Sequence, residues 1–208
     1  IFLMVVLFMA ACSRKKNTFL SRTKQSVTSE FNILYNGNIA FKTGKEQLAR
    51  TYRDNFWETL PIERIEIEES NTLIEESITS NVESVNENFN IAEEKAVKAI
   101  QMHSIYIEGK EYNPQIDEAY ILLGKARYFD GRFVQALDAF NFILKTHPIS
   151  NNINQAKVWR AKTQIRLNNE EIAIENLLKM NKYKELNKED LADASAILAQ
   201  ALINLDSI

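Results

Sequence analysis

The chain has 208 residues, enough for one mid-sized domain or a short repeat array. Hydrophobic residues make up 45% and charged residues 25%, so it can bury a core, while 5 Gly and 3 Pro are too few for a turn-rich β-sandwich. A formal net charge of −3 gives no general basic field for nucleic acid, and a single cysteine excludes an internal disulfide.

Ile1 to Ala11 is an unbroken apolar run followed at once by Cys12. As a helix it would span about 16 Å, too short for a hydrocarbon core of about 30 Å. That length fits the apolar region of a signal peptide. Ala10 and Ala11 before Cys12 resemble the lipobox of bacterial lipoproteins, with Met9 where Leu is commonest. The resemblance makes Cys12 the expected lipidation site, since acyl chains contribute roughly 0.8 kcal/mol per buried CH₂ to membrane anchoring. Residues 12–24 then read as a lipidated cysteine with a basic tether, Ser13, Arg14, Lys15 and Lys16. There is no initiator Met, and the chain stops inside a helical pattern at Leu202 to Ile208, so it reads as part of a longer protein.

Residues 25–61 read as a first helical hairpin. Phe31, Leu34, Tyr35, Ile39 and Phe41 mark one helix over 25–43, Gly44 punctuates it, and Glu46 to Trp57 forms a second that Pro61 ends. Residues 62–90 change character: eight Glu face one base, Arg64, among Ser, Thr and Asn. This is an acidic linker or irregular insert. It has no fixed oxygen-ligand spacing with a turn Gly, so a calcium loop is disfavoured.

From residue 91 to 208 the 3.6-residue period returns. Ala92, Lys95, Ala96, Ala99, Ile100 and His103 mark a helix over 91–107, stopped by Gly109. Helices follow at about 115–130, 133–145, 153–167, 170–180 and 189–206, with Pro114 before one start and Pro148 after one end. The predicted fold is all-α.

A spacing recurs along the chain. Gly37, Ala49 and Pro61 stand 12 and 12 apart, as do Gly124, Ala136 and Pro148, and Ala161 and Ala173 repeat the interval. Small residues on two successive helices let them pack closely, and a proline ends the second. Tyr120, Leu123, Phe140 and Ile143 would fill the apolar positions of one unit, and Trp159, Ile165, Leu177 and Met180 those of the next. This pattern resembles the tetratricopeptide repeat. Residues 117–150, DEAYILLGKARYFDGRFVQALDAFNFILKTHPIS, match best; 30–61 match less closely, 154–187 match with a longer lead-in, and another unit starts at 189. The resemblance implies hairpins stacked as a curved solenoid.

Little marks chemistry. His103 and His147 stand far apart, no cysteine cluster exists, and neither a Gly-x-Ser-x-Gly elbow nor a phosphate-cradling loop occurs. Glu93/Glu94 and Glu170/Glu171 read as solvated helix starts favoured by the dipole. No enzyme activity, cofactor, metal or small-molecule substrate is expected.

A repeat stack offers a groove lined by the first helix of each pair: Leu34, Asn38 and Phe41, then Ile121, Lys125 and Tyr128, then Val158, Lys162 and Arg166. Asn38, Lys125, Tyr128, Lys162 and Arg166 are the candidate partner-binding residues. Their cations suit an acidic or carboxylate-ended peptide, or are simply solvated helix positions. The chaperone-type carboxylate clamp is not expected, because only Asn38 falls in its pattern.

Three features together go beyond a generic repeat. They are FNILYNGNIAFKTGKEQLARTYRDNFWETLPIER (31–64), AEEKAVKAIQMHSIYIEGKEYNPQIDEAYILLGKARYFDGRFVQALDAFNFIL (92–144) and the lipobox cysteine. They resemble the N-terminal region of the SprE/PorW lipoproteins of type IX secretion and gliding motility in Bacteroidetes. The resemblance covers roughly 17–170, apart from an insert at 65–88. It implies a lipoprotein on the periplasmic face of the outer membrane, linking a periplasmic ring to a translocon through protein contacts. A glycan-binding lipoprotein of the SusD type is the alternative; it needs an exposed aromatic platform, whereas Trp57 and Trp159 fall at repeat-packing positions. A helical cell-wall hydrolase lacks a catalytic constellation.

Overall fold

The computed structural model of the chain describes residues 19–57, 60–61, 63, 66–67, 86–181 and 188–206. These residues are mostly helical, the all-α class that the composition indicates. The apolar leader 1–11, Cys12 and the basic residues 13–16 lie outside them, as does most of the acidic stretch.

The first elements differ from the sequence reading. Helix α1 (Phe19–Thr28) continues through a π-helical turn (Ser29–Leu34) into α2 (Tyr35–Thr51). Residues 19–24 are thus helical rather than tether, and the hairpin expected within 25–61 is replaced by one continuous rod. Gly44 does not stop the helix. It is buried inside it, because the Phe89 ring lies where a side chain would go: an added Cβ would stand 2.8 Å from a ring carbon. Gly37 does the same one face along, 2.8 Å from Leu122 Cδ2. These glycines cost helix propensity but let two neighbouring helices approach. Ala49 lies exposed on the same helix as Gly37, so the Gly37/Ala49/Pro61 spacing marks no helical pair. The chain leaves the helix extended at Tyr52, and Trp57, expected in a packing position, is 97% exposed.

Helix α3 (Glu87–His103) starts four residues before the expected 91 because Asn86 caps it, its side chain accepting from the Asn88 N–H at 2.9 Å. The Asn86 and Asn88 amides both donate to Gln47 Oε1, which ties the last turns of α2 to the first turn of α3. The connection 52–86 therefore leaves and returns at one end of a packed pair. Gly109 sits not at a helix end but in a small hairpin of β1 (Tyr106–Ile107) and β2 (Lys110–Glu111). Positive φ at both Glu108 and Gly109 gives the two-residue turn that suits strand twist.

The remaining helices fall close to their expected limits: α4 (Ile116–Phe129), α5 (Phe133–Thr146), α6 (Ile153–Arg166), α7 (Glu170–Asn181) and α8 (Lys188–Asp206). The α4–α5 and α6–α7 links use one device. After α4, Gly131 takes a left-handed φ, its N–H bonds the Tyr128 carbonyl, and the Arg132 N–H reaches back to that of Arg127. After α6, Asn168 takes the left-handed φ, bonding Ile165, and Asn169 reaches Gln164. Both are Schellman turns, with Gly and Asn at the position that tolerates this conformation. Links this short between helices in extensive contact make each pair antiparallel. The second pair repeats the first 37 residues on, from Ile116 to Ile153 and from Gly131 to Asn168.

Each helix packs on its neighbours in sequence, and α2, α4, α6 and α8 also touch in that order. Small residues line these contacts: Ala92, Ala96, Ala99, Ala119, Ala126, Ala136, Ala156, Ala161 and Ala173 are fully buried. Between them runs a chain of rings. Phe41 meets Phe89 and Phe129, Tyr128 meets Phe133 and Trp159, and Phe140 stacks on Trp159, with centroids 5.4 to 6.2 Å apart. Trp159 and Phe140 are thus core residues, as the periodicity predicts.

Candidate functional site

Among the five candidate groove residues, the structure brings four together and leaves one aside. Tyr128 stands in the last turn of α4, one turn beyond Lys125; Lys162 and Arg166 stand one turn apart on α6. The 3.6-residue period puts each pair on one face, and contact between α4 and α6 brings the faces together. Asn38, on α2, lies exposed and donates to Glu118 Oε1 at 3.4 Å, apart from the cluster.

The group at the centre was not among the sequence candidates. Glu63, from the connection 52–86, places its carboxylate between α4 and α6. Lys162 Nζ donates to one oxygen at 2.9 Å; the Tyr128 hydroxyl donates to the other at 2.6 Å, with an Arg166 N–H 3.5 Å from it. Arg166 Nε also donates to the Tyr128 hydroxyl at 3.1 Å, so the phenol accepts from a cation and donates to an anion. Burial works against the charge on Glu63, yet the Lys162 ammonium, hydrogen bonds from Tyr128 and Lys162, and Arg166 outweigh it and hold its pKa below the ordinary carboxylate value. Burial beside Glu63 pushes the Tyr128 phenol up, so it stays protonated.

Trp159 forms the floor. Lys162 Nζ lies 4.4 Å and Lys125 Nζ 5.2 Å from its ring centroid, and the Arg166 guanidinium lies 5.8 Å from that of Tyr128. The rings hold the cations by their electron-rich faces. Glu63, Tyr128, Lys162 and Arg166 line one end of a cleft of about 230 Å³ that extends between α6 and α8, where Pro61, Ile165, Ile197, Gln200 and Asn204 complete its wall.

Lys125 is the strained member of this set. Burial, then repulsion from Lys45 and Lys162, lowers its pKa from 10.5 to about 8. The sign follows directly: between about pH 8 and 10.5 the unfolded chain holds a proton that the folded chain has shed, so this group raises stability with pH across that window and withdraws it as pH falls through 8. Lys125→Met is expected to flatten that part of the melting-temperature profile relative to the parent chain and to raise stability at pH 7, checked by thermal unfolding from pH 7 to 10.5.

A second charged cluster is structural. Glu93, expected as a solvated helix start, lies mid-helix in α3 because that helix begins at Glu87. Its carboxylate takes Arg127 Nε at 2.8 Å and also pairs with Arg132, which in turn bonds Asp130 at 2.8 Å. This ties α3 to the α4–α5 turn. Among the described residues, no group of His, Cys, Asp and Glu is arranged to hold a metal, and no helix is long and apolar enough to cross a membrane.

No known protein family model matches the chain, and no curated protein matches it.

Proposed function

We propose that the chain is an outer-membrane-anchored periplasmic scaffold lipoprotein of the type IX secretion and gliding system, binding protein partners along a tetratricopeptide-like stack. The observation that carries the scaffold part is the recurrence of the α4–α5 pair as α6–α7, with the same turn geometry 37 residues on. On this reading α2, α4, α6 and α8 form the inner wall of a curved solenoid, and α3, α5 and α7 back it. The basic cluster of α4 and α6 on that wall supports binding rather than catalysis. The machine itself rests on the resemblance of 31–64 and 92–144 to SprE/PorW lipoproteins, which implies a link between a periplasmic ring and a translocon. Affinity capture from the envelope of a gliding host tests it: ring or translocon components are expected, and their absence removes the reading.

The anchor is tested separately. Cys12→Ala is expected to abolish incorporation of a labelled fatty acid and to release the protein from the membrane fraction; unchanged membrane association would sink the lipoprotein part. One observation favours the second reading, a SusD-type glycan binder. Phe56 and Trp57 stand exposed together where the connection begins, instead of packing in the stack. Gene deletion separates the two: loss of secretion and spreading supports the scaffold, and loss of growth on one polysaccharide supports the glycan binder.

A further inference from the structure

We propose that the pocket of Tyr128, Lys162 and Arg166 recognises an acidic side chain of an extended partner peptide, and that Glu63 fills it as a resident ligand carried on the chain's own connection. The proposal rests on the scaffold reading and says where on that scaffold a partner binds.

Three observations converge. First, the donors come from two neighbouring helices and aim at one point, while the carboxylate arrives from outside the helical stack, 65 residues before Tyr128 and 99 before Lys162. A pair that merely stabilises one helix would sit four residues apart, as Lys179 and Glu175 do on α7. Second, the cations have supports that do not depend on Glu63. Trp159 lies under Lys162, and Tyr128 lies under Arg166. A pocket held open in this way is ready for another carboxylate, and charge-assisted bonds to it are the strong kind. Third, the site does not end at Glu63. The cleft runs on past Pro61 and Ile165 to Ile197, Gln200 and Asn204 on α8, so a peptide entering with its acidic side chain on Lys162 has an apolar wall and side-chain amides beside its next residues.

The resident ligand sets the threshold. A group tethered on the same chain competes at an effective concentration on the order of millimolar, so only a partner that places further residues in the cleft displaces it. Weak acidic peptides are refused, and a longer, better-fitting one displaces the Glu63 carboxylate.

The test uses the full chain and Glu63→Gln, with a fluorescein-labelled peptide of the chain's own residues 60–66 as probe, followed by anisotropy. Glu63→Gln is expected to bind the probe at least about tenfold more tightly than the parent, because the internal competitor is gone. Adding Lys162→Met and Arg166→Met to that chain is expected to abolish binding, as is a probe carrying Gln in place of its first Glu. Equal binding by parent and Glu63→Gln overturns the proposal. So does no binding by a Glu63→Gln chain whose circular dichroism and melting temperature match the parent's. Should Glu63→Gln unfold, Glu63→Asp retracts the charge by one methylene and must still raise probe affinity; no gain overturns the proposal. Envelope capture keeps the two readings apart. Components held equally by parent and by Lys162→Met/Arg166→Met overturn the pocket and leave the scaffold standing. Probe binding without captured components supports the pocket and removes the named machine.

Discussion

Phe140→Ala is expected to lower the stability of the chain by about 3–5 kcal/mol, read as a fall in the urea midpoint at unchanged slope. The ring is fully buried between α4 and α5 and stacks on Trp159, so its loss removes contacts across three helices. It also fills the space left by Gly124, where an added Cβ would lie 2.4 Å from a ring carbon. This predicts a change of sign. Gly124→Ala alone is expected to destabilise by about 1–2 kcal/mol, because overpacking against the ring exceeds the gain in helix propensity. In the Phe140→Ala background the same substitution has room and is expected to stabilise. A double-mutant cycle measures that coupling, and additive effects would show that Gly124 and Phe140 do not share a contact.

Glu93→Gln is the second large effect. It leaves Arg127 facing a neutral amide and Arg132 with Asp130 alone in a half-buried site, and losing the charged partner there costs about 1–3 kcal/mol. The carboxylate loses solvation on burial, but hydrogen bonding and charge from Arg132, then from Arg127, hold its pKa below the ordinary value. A lowered pKa means that the stabilisation is complete above the unfolded-state value near 4.5 and fades as pH falls through the lower folded value. Acid unfolding of the parent should therefore steepen below about pH 4.5, and the Gln variant should lose that component. Superimposable profiles for the two chains would dismiss Glu93 as the tie between α3 and the α4–α5 turn.

From α4 onward, the helices were legible in the sequence to within a few residues, because a 3.6-residue period reports a buried face directly. Trp159, Phe140, Leu177 and Met180 declare themselves by that period alone. The hairpin expected within 25–61 fails for a single physical reason. Gly44 carries two meanings, a helix stop or a close approach, and what decides between them is Phe89, 45 residues away. The 12-residue interval from Gly37 to Ala49 looked like a hairpin because nothing local shows that the chain between them stays helical. The site divided in the same way. Lys125, Tyr128, Lys162 and Arg166 were visible as faces of two helices. Glu63 was not, since eight glutamates share residues 62–90 and nothing local in the sequence sets Glu63 apart, whereas the fold buries its carboxylate between α4 and α6.

The connection between α2 and α3 has a consequence in time. Closing a loop costs only about 0.6 kcal/mol more for each doubling of its length, so widening a short helical turn to the stretch 52–86 adds on the order of 2 kcal/mol. From α3 to α8 every strong pairing joins neighbours in sequence, whereas the α2–α3 pairing must wait for that whole stretch. A ribosome adds about 5–20 residues per second, so α2 emerges several seconds before the helix whose phenylalanine covers Gly44. During that interval its small-residue face is bare.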